Sequence, residues 1–182
     1  MSPTELAPAS PLISRHLDAL RSAARRGPVV DLACGRGRNA LAIARAGIPV
    51  VGIDRNAAFL SALTEAAREE DLPVTPVRAD LEASPLPLAP GGCGAIVVFR
   101  YLHRPLCREL SSALCPGGLL LYETFTIHQR ELGYGPGNAA FLLRGGELPG
   151  LFPALEVLHH WEGVLEAPRP MAVAQLAARR PA

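Results

Sequence analysis

The stretch "VVDLACGRGRNALAIARAG", residues 29–47, decides the fold. An apolar run of strand length breaks off at Gly35-x-Gly37-x-x-Ala40, and an alanine-rich segment with helical spacing follows from about 38 to 46, stopped by Gly47. The glycines let the backbone turn sharply and approach a ligand closely, and the helix presents its N-terminus to the same place. This is the layout of a nucleotide-binding loop. The spacing alone leaves open whether the nucleotide carries electrons, donates a group or is merely held.

The chain keeps alternating on either side. "PVVGID" at 49–54 is a second strand, Asn56 caps a helix to about Glu70, and "VTPVRAD" at 74–80 is a third strand that Pro76 assigns to an edge. The proline-rich residues 81–94 read as a loop in place of a crossover helix, and "AIVVFR" at 95–100 is apolar on both faces, as a central parallel strand is. A helix over 104–115, a "PGG" turn at 116–118 and a strand at 119–125 follow. Then come a glycine-containing loop at 126–140, a short helix near 147–152 and two strand-like runs, 155–163 and 171–178. Upstream, residues 1–9 read as a loose tail, and Ser10-Pro11 opens one helix to about residue 25. The pattern is a doubly wound α/β domain over residues 10–182, closed by a hairpin.

The 182 residues suit a single core, and 18 Arg+Lys against 17 Asp+Glu give no global field for nucleic acid or an anionic membrane. Lysine is absent, so arginine supplies every fixed side-chain cation. Cys34, Cys93, Cys107 and Cys115 form no C-x-x-C pair and no zinc spacing, so no metal site is expected. The start "MSPTELAPASP" has no basic and apolar leader pattern, and no run has the length of a membrane span; the expected location is the cytoplasm, away from membranes.

Ligands of open parallel sheets lie beyond the carboxyl ends of the strands. Acids stand at those ends here: Asp31 on the first strand, Asp54 on the second and Asp80 on the third. A carboxylate after the second strand can accept both hydroxyls of a ribose, and Asp80 can accept from an adenine amino group, although a turn cap in "ADLE" explains it as well. Asp31, four residues before Gly35, would repel a pyrophosphate but can hold the ammonium of an amino-acid tail. S-adenosylmethionine carries such a tail and needs no phosphate cradle.

Taken together, residues 29–47, "VVGIDRN", "RADLE", "GAIVVFRYLHR" and "LCPGGLLLYETF" resemble, in order, the motifs of class I S-adenosylmethionine-dependent methyltransferases. Within that class, "CGRGRNALAIARAG" and "FLLRGGELPGLFPALEVLHHWEG" are similar to the tellurite-resistance methyltransferases. The resemblance implies a mostly parallel, seven-stranded Rossmann-like sheet with an antiparallel C-terminal hairpin, and S-adenosylmethionine as cofactor. It implies that Asp31, Ala33, Cys34, Gly35 and Gly37 frame the methionine moiety, with Ala33 where a glycine is usual. Asp54 would hold the ribose, Arg55 would flank the adenine, and Asp80 with Leu81 would address its edge. Arg38 and Asn39 match the family's pair after the loop, and Phe99 closes the fourth strand beside the cofactor.

On the acceptor side the resemblance points to Arg100, Tyr101 and His103, just past the fourth strand. Arg100 is suited to orient an anionic substrate, while the alternative makes "RYLHRP" a simple turn with His103 capping the next helix. Glu123 can accept a substrate proton or pair with Arg100. The loop 126–140 is a candidate lid or an ordinary ordered loop. Soft anions such as thiolates, or reduced tellurium and selenium species, need no general base, and the lack of an acid/base pair fits them. The expected partner is a small methyl acceptor, with monomer or dimer left open. Two alternatives stand beside it: an RNA or protein methyltransferase, which the near-neutral charge disfavours, and a non-catalytic module that binds S-adenosylmethionine.

Overall fold

The computed structural model describes residues 7–83, 86–166 and 169–182. Residues 1–6 of the expected tail and 84–85 of the proline-rich loop lie outside the described residues. The chain runs through α1 (Pro11–Arg15), α2 (Leu17–Ala24), β1 (Val29–Leu32), α3 (Arg38–Arg45), β2 (Val50–Asp54), α4 (Ala57–Glu69) and β3 (Val74–Arg78). It continues through β4 (Cys93–Phe99), α5 (Leu106–Ala113), β5 (Leu114–Phe125), α6 (Glu147–Gly150), β6 (Glu156–Leu165) and β7 (Met171–Arg179). One seven-stranded sheet has the order β3-β2-β1-β4-β5-β7-β6, parallel from β3 to β5 and antiparallel across β5-β7-β6. The winding direction reverses between β1 and β4, so the ligand crevice of such a sheet opens at their carboxyl ends.

Each strand sits where its side chains can be buried. β4 is buried along its whole length, as a strand paired on both sides and covered on both faces must be. β3 forms the edge, and Pro76, aligned with Gly52 of β2, lacks an N–H that a further strand would need. One face is packed by Leu12, Leu20, Leu41 and Leu63 from α1 to α4, and the other by Leu106, Leu110 and Phe152. Asn56 caps α4 by accepting the amides of Ala58 and Phe59.

Several boundaries differ from the sequence reading, among them the helix expected over 104–115, which spans Leu106–Ala113, and two differences have a clear physical reason. The helix expected from residue 10 to 25 is broken at His16, whose backbone leaves helical geometry while its ring lies 5.7 Å from that of His159 on β6. Apolar periodicity runs through the break because both short helices bury the same face. The "PGG" segment is a continuation of β5 rather than a turn: Gly117 donates to the carbonyl of Arg180, and Arg180 donates to that of Gly118. The partner strand lies far along the chain, so local composition cannot reveal the pairing.

Candidate functional site

The loop between β1 and α3 is built on left-handed backbone. Gly37 has φ +83°, and a Cβ there would stand 2.2 Å from Leu63 Cδ1, so both conformation and space demand glycine. Ala33 takes φ +54° without being glycine, a strained geometry for a residue with a Cβ. The Gly35 N–H donates to Asp54 Oδ2 at 2.9 Å, and the Asn56 N–H donates to Oδ1 at 2.8 Å. Each carboxylate oxygen accepts more than one bond, so Asp54 keeps acceptor capacity toward the crevice. A Cβ built on Gly35 meets nothing within 4 Å, which leaves its outer side open.

A cavity of about 270 Å³ lies beside this loop. Asp54, Arg55, Asp80, Leu81, Tyr101 and Phe141 line it, with Ala33 at the loop end. Asp80 also accepts the Glu82 N–H at 3.0 Å, so the turn cap and the cavity wall are the same residue. Burial first, then Glu82 and Asp80, push the Tyr101 phenol up to about 12, which keeps it a neutral donor. Its hydroxyl is buried without a hydrogen-bond partner. The sequence placed Tyr101 among the acceptor-side groups; the structure puts it in the cavity with Asp54 and Asp80. Phe141 had no sequence signal, since it arrives from a loop remote in the chain. It is held there by Arg104, which pairs with Glu147 and donates to the carbonyls of Ala140 and Leu142.

The opposite end of the crevice is charged. Asp31 is 1% exposed, its Oδ2 has no partner, and burial raises its pKa to about 7 against the pull of Arg38 and the Ala40 amide. Arg38 donates from Nη1 to the Pro8 carbonyl at 2.7 Å, while Nη2 is buried and unpartnered. Burial and the neighbouring Arg100 lower Arg38 to about 10, opposed by Glu123 and Asp31. Asn39 Oδ1 accepts the Ser10 N–H at 3.0 Å. Burial, with Asp31 and Asp54 beside it, drives the Cys34 thiol well above its ordinary range, so it is an inert wall of the loop.

Past β4, Arg100 is exposed and takes φ +58°, with its N–H bonded to the Glu123 carbonyl. Glu123 is 1% exposed, and its Oε2 accepts from Ser10 Oγ at 2.5 Å and Gln175 Nε2 at 2.7 Å. His103 offers its carbonyl to the first turn of α5, and Phe99 is buried in the core on the α1–α4 side. Ser10 and Gln175 had no signal for a place at the site, since both are brought to Glu123 across more than 50 positions of chain. Tyr134 is likewise added: its hydroxyl is buried and unpartnered, and Arg169 stacks 3.3 Å over its ring. The loop carrying it is anchored by the buried Gln129, which donates to the Tyr134 carbonyl and accepts from the Ala172 N–H.

These features suit S-adenosylmethionine better than a dinucleotide. An orphaned buried carboxylate on β1 precedes the glycine loop, where it would disfavour a pyrophosphate, and acids and aromatic side chains line the neighbouring cavity. Among the described residues no group of three or more His, Cys, Asp or Glu could hold a metal, and no helix is long and apolar enough to cross a membrane.

Residues 29–118 match the family model for a methyltransferase domain. No curated protein matches the sequence. Among solved structures, TehB from Haemophilus influenzae superposes with a TM-score of 0.70 at 23% identity, over 91% of this chain and 62% of that one. The chain thus spans less than two thirds of that relative. An S-adenosylmethionine-dependent methyltransferase from Methanosarcina mazei gives 0.73 at 18% identity, over 96% and 99%. Geranyl diphosphate C-methyltransferase from Streptomyces coelicolor gives 0.66 at 18%, over 92% and 80%. The fold is that of class I methyltransferases, as the sequence motifs implied, and the chain resembles TehB within it.

Proposed function

We propose that this chain is an S-adenosylmethionine-dependent methyltransferase and that it methylates a small soft nucleophile such as a thiolate or a reduced tellurium or selenium species. Bound S-adenosylmethionine supplies an electrophilic methyl group on a sulfonium. Asp54 holds the ribose, Arg55, Asp80, Leu81 and Tyr101 surround the adenine, and Asp31 with the Gly35–Gly37 loop receives the amino-acid tail. Arg100 orients an anionic acceptor, with Tyr134 and His103 on the same side.

The observation that carries the choice of acceptor is the state of the ionisable groups. The Glu123 carboxylate is bonded to Ser10 and Gln175, the Tyr101 phenol is pushed up to about 12, and the Cys34 thiol is raised further. Burial keeps the Tyr101 phenol and the Cys34 thiol protonated, two donors occupy Glu123 Oε2, and Asp31 is assigned to the amino-acid tail, so the reading favours an acceptor that is already an anion. Positioning and exclusion of water then do the catalytic work.

The test is transfer of isotopic methyl from S-adenosylmethionine to a panel of thiols, reduced selenium and tellurium species, bulk RNA and protein. Label in the small acceptors is expected. Label confined to RNA or protein would replace this reading, and binding without transfer to any acceptor would make the chain a ligand-binding module.

A further inference from the structure

Residues 7–10 cross the carboxyl end of the sheet and are fastened at both sides. On one side, the first turn of α3 holds them: Arg38 Nη1 donates to the Pro8 carbonyl at 2.7 Å, and the Ser10 N–H donates to Asn39 Oδ1 at 3.0 Å. On the other, Ser10 Oγ donates to Glu123 Oε2 at 2.5 Å, an oxygen that also accepts from Gln175 of β7. α3 follows β1, and Glu123 is on β5; β4 lies between those strands. The segment therefore bridges the end of β4, where Arg100 emerges.

We propose that Glu123 is a positioning residue that clasps residues 7–10, through Ser10, as an opening strap over the acceptor side of the site. This rests on the methyl-donor reading above. Ser10, Asn39, Glu123 and Gln175 are all at most 4% exposed, so these bonds are sheltered from water, and the one to the carboxylate is charge-assisted. The segment has little else to hold it: Pro8 is exposed, and Ala7 and Ala9 are only partly covered. A short stretch with few apolar contacts and a few strong polar clasps opens as a unit when one clasp is lost. The Ser10 hydroxyl also accepts the Leu12 N–H at 3.2 Å, so the group that caps α1 is the group that closes the strap. Donor and acceptor exchange then require the Ser10–Glu123 bond to break, and its reformation shuts out water during transfer.

The cap and the clasp can be separated by substitution. Asp caps a helix as well as Ser, but an ionised Asp cannot donate to Glu123 and repels it. Thr does both jobs.

Hydrogen exchange of the peptide covering residues 7–13, in the full chain with and without S-adenosylhomocysteine, reads the strap directly. Stopped-flow measurement of association and dissociation of the same ligand reads its gating. Ser10→Asp and Glu123→Gln are each expected to speed strap exchange and both ligand rates by about tenfold, the worth of one charged hydrogen bond. Equilibrium affinity should change less than either rate. Ser10→Thr should behave as the parent, and the double variant Ser10→Asp/Glu123→Gln, in which the Gln amide can donate to the Asp carboxylate, should exchange more slowly than either single variant. Unchanged strap exchange in Ser10→Asp overturns the clasp, as does a Glu123→Gln variant that loses turnover while its strap exchanges at the parental rate, which would make Glu123 a base. Failure of the parent to bind S-adenosylhomocysteine overturns the methyl-donor reading, while strap exchange without ligand still decides the clasp.

Discussion

Asp54, the last residue of β2, accepts the backbone N–H of Gly35 at 2.9 Å, so the end of the second strand holds the loop that leaves the first. One carboxylate fixes the loop and faces the cavity at once.

Asp54→Ala removes the loop's anchor together with the proposed ribose contacts. Hydrogen bonds to a charged group are worth about 1.5–3 kcal/mol each, so S-adenosylhomocysteine affinity should fall by at least about tenfold. Asp54→Asn, which keeps one oxygen, should lose less. Calorimetric titration checks both, and an unchanged affinity in Asp54→Ala would remove this residue from the site.

Asp31 makes binding and stability depend on pH. Its folded pKa is raised from 3.8 to about 7, so its contribution to stability is complete below about pH 4 and is lost as pH rises through 7. The slope is at most about 1.4 kcal/mol per pH unit. Relative to Asp31→Asn, the ligand-free parent should lose thermal stability between about pH 4 and 7 in calorimetric scans. A cationic tail beside the ionised carboxylate reverses the preference, so parental affinity for S-adenosylhomocysteine should tighten over the same range. In Asp31→Asn it should stay flat.

Ala33 and Arg100 both hold left-handed backbone that suits glycine, with φ of +54° and +58°. Ala33→Gly is expected to raise stability by about 1 kcal/mol, the cost of a Cβ in that region less the entropy glycine adds to the unfolded chain. A higher melting temperature with ligand affinity retained confirms that the strain is local.

Arg100→Ala should raise the apparent KM for an anionic acceptor several-fold and leave S-adenosylhomocysteine binding alone. Loss of cofactor binding would assign Arg100 to the scaffold. Arg100→Gly relieves the backbone while deleting the charge, so its acceptor KM should match that of Arg100→Ala at higher stability.

Arg104 places an aromatic wall without touching the cavity. Its bonds to Glu147 and to the carbonyls on either side of Phe141 hold that ring at the cavity's edge. Arg104→Ala should weaken S-adenosylhomocysteine binding with little change in the fold, an outcome that calorimetry and circular dichroism together check.

The winding of the sheet, its closing pair of strands and the three acids at or just past the ends of β1, β2 and β3 were legible in the amino-acid order alone. Those features are local: two-residue and 3.6-residue periodicities, glycines at the turn, and an acid at the end of an apolar run. The edge position of β3 was legible because a missing N–H in Pro76 has one tolerable place in a sheet. It took the folded chain to bring Ser10 and Gln175 to Glu123, to set Phe141 and Tyr101 around the cavity of Asp54 and Asp80, and to break helix geometry at His16. Each of these depends on side chains brought together across long separations, and their partners are chosen by packing and burial. Periodicity carries a residue's face but not the identity of what it will meet there.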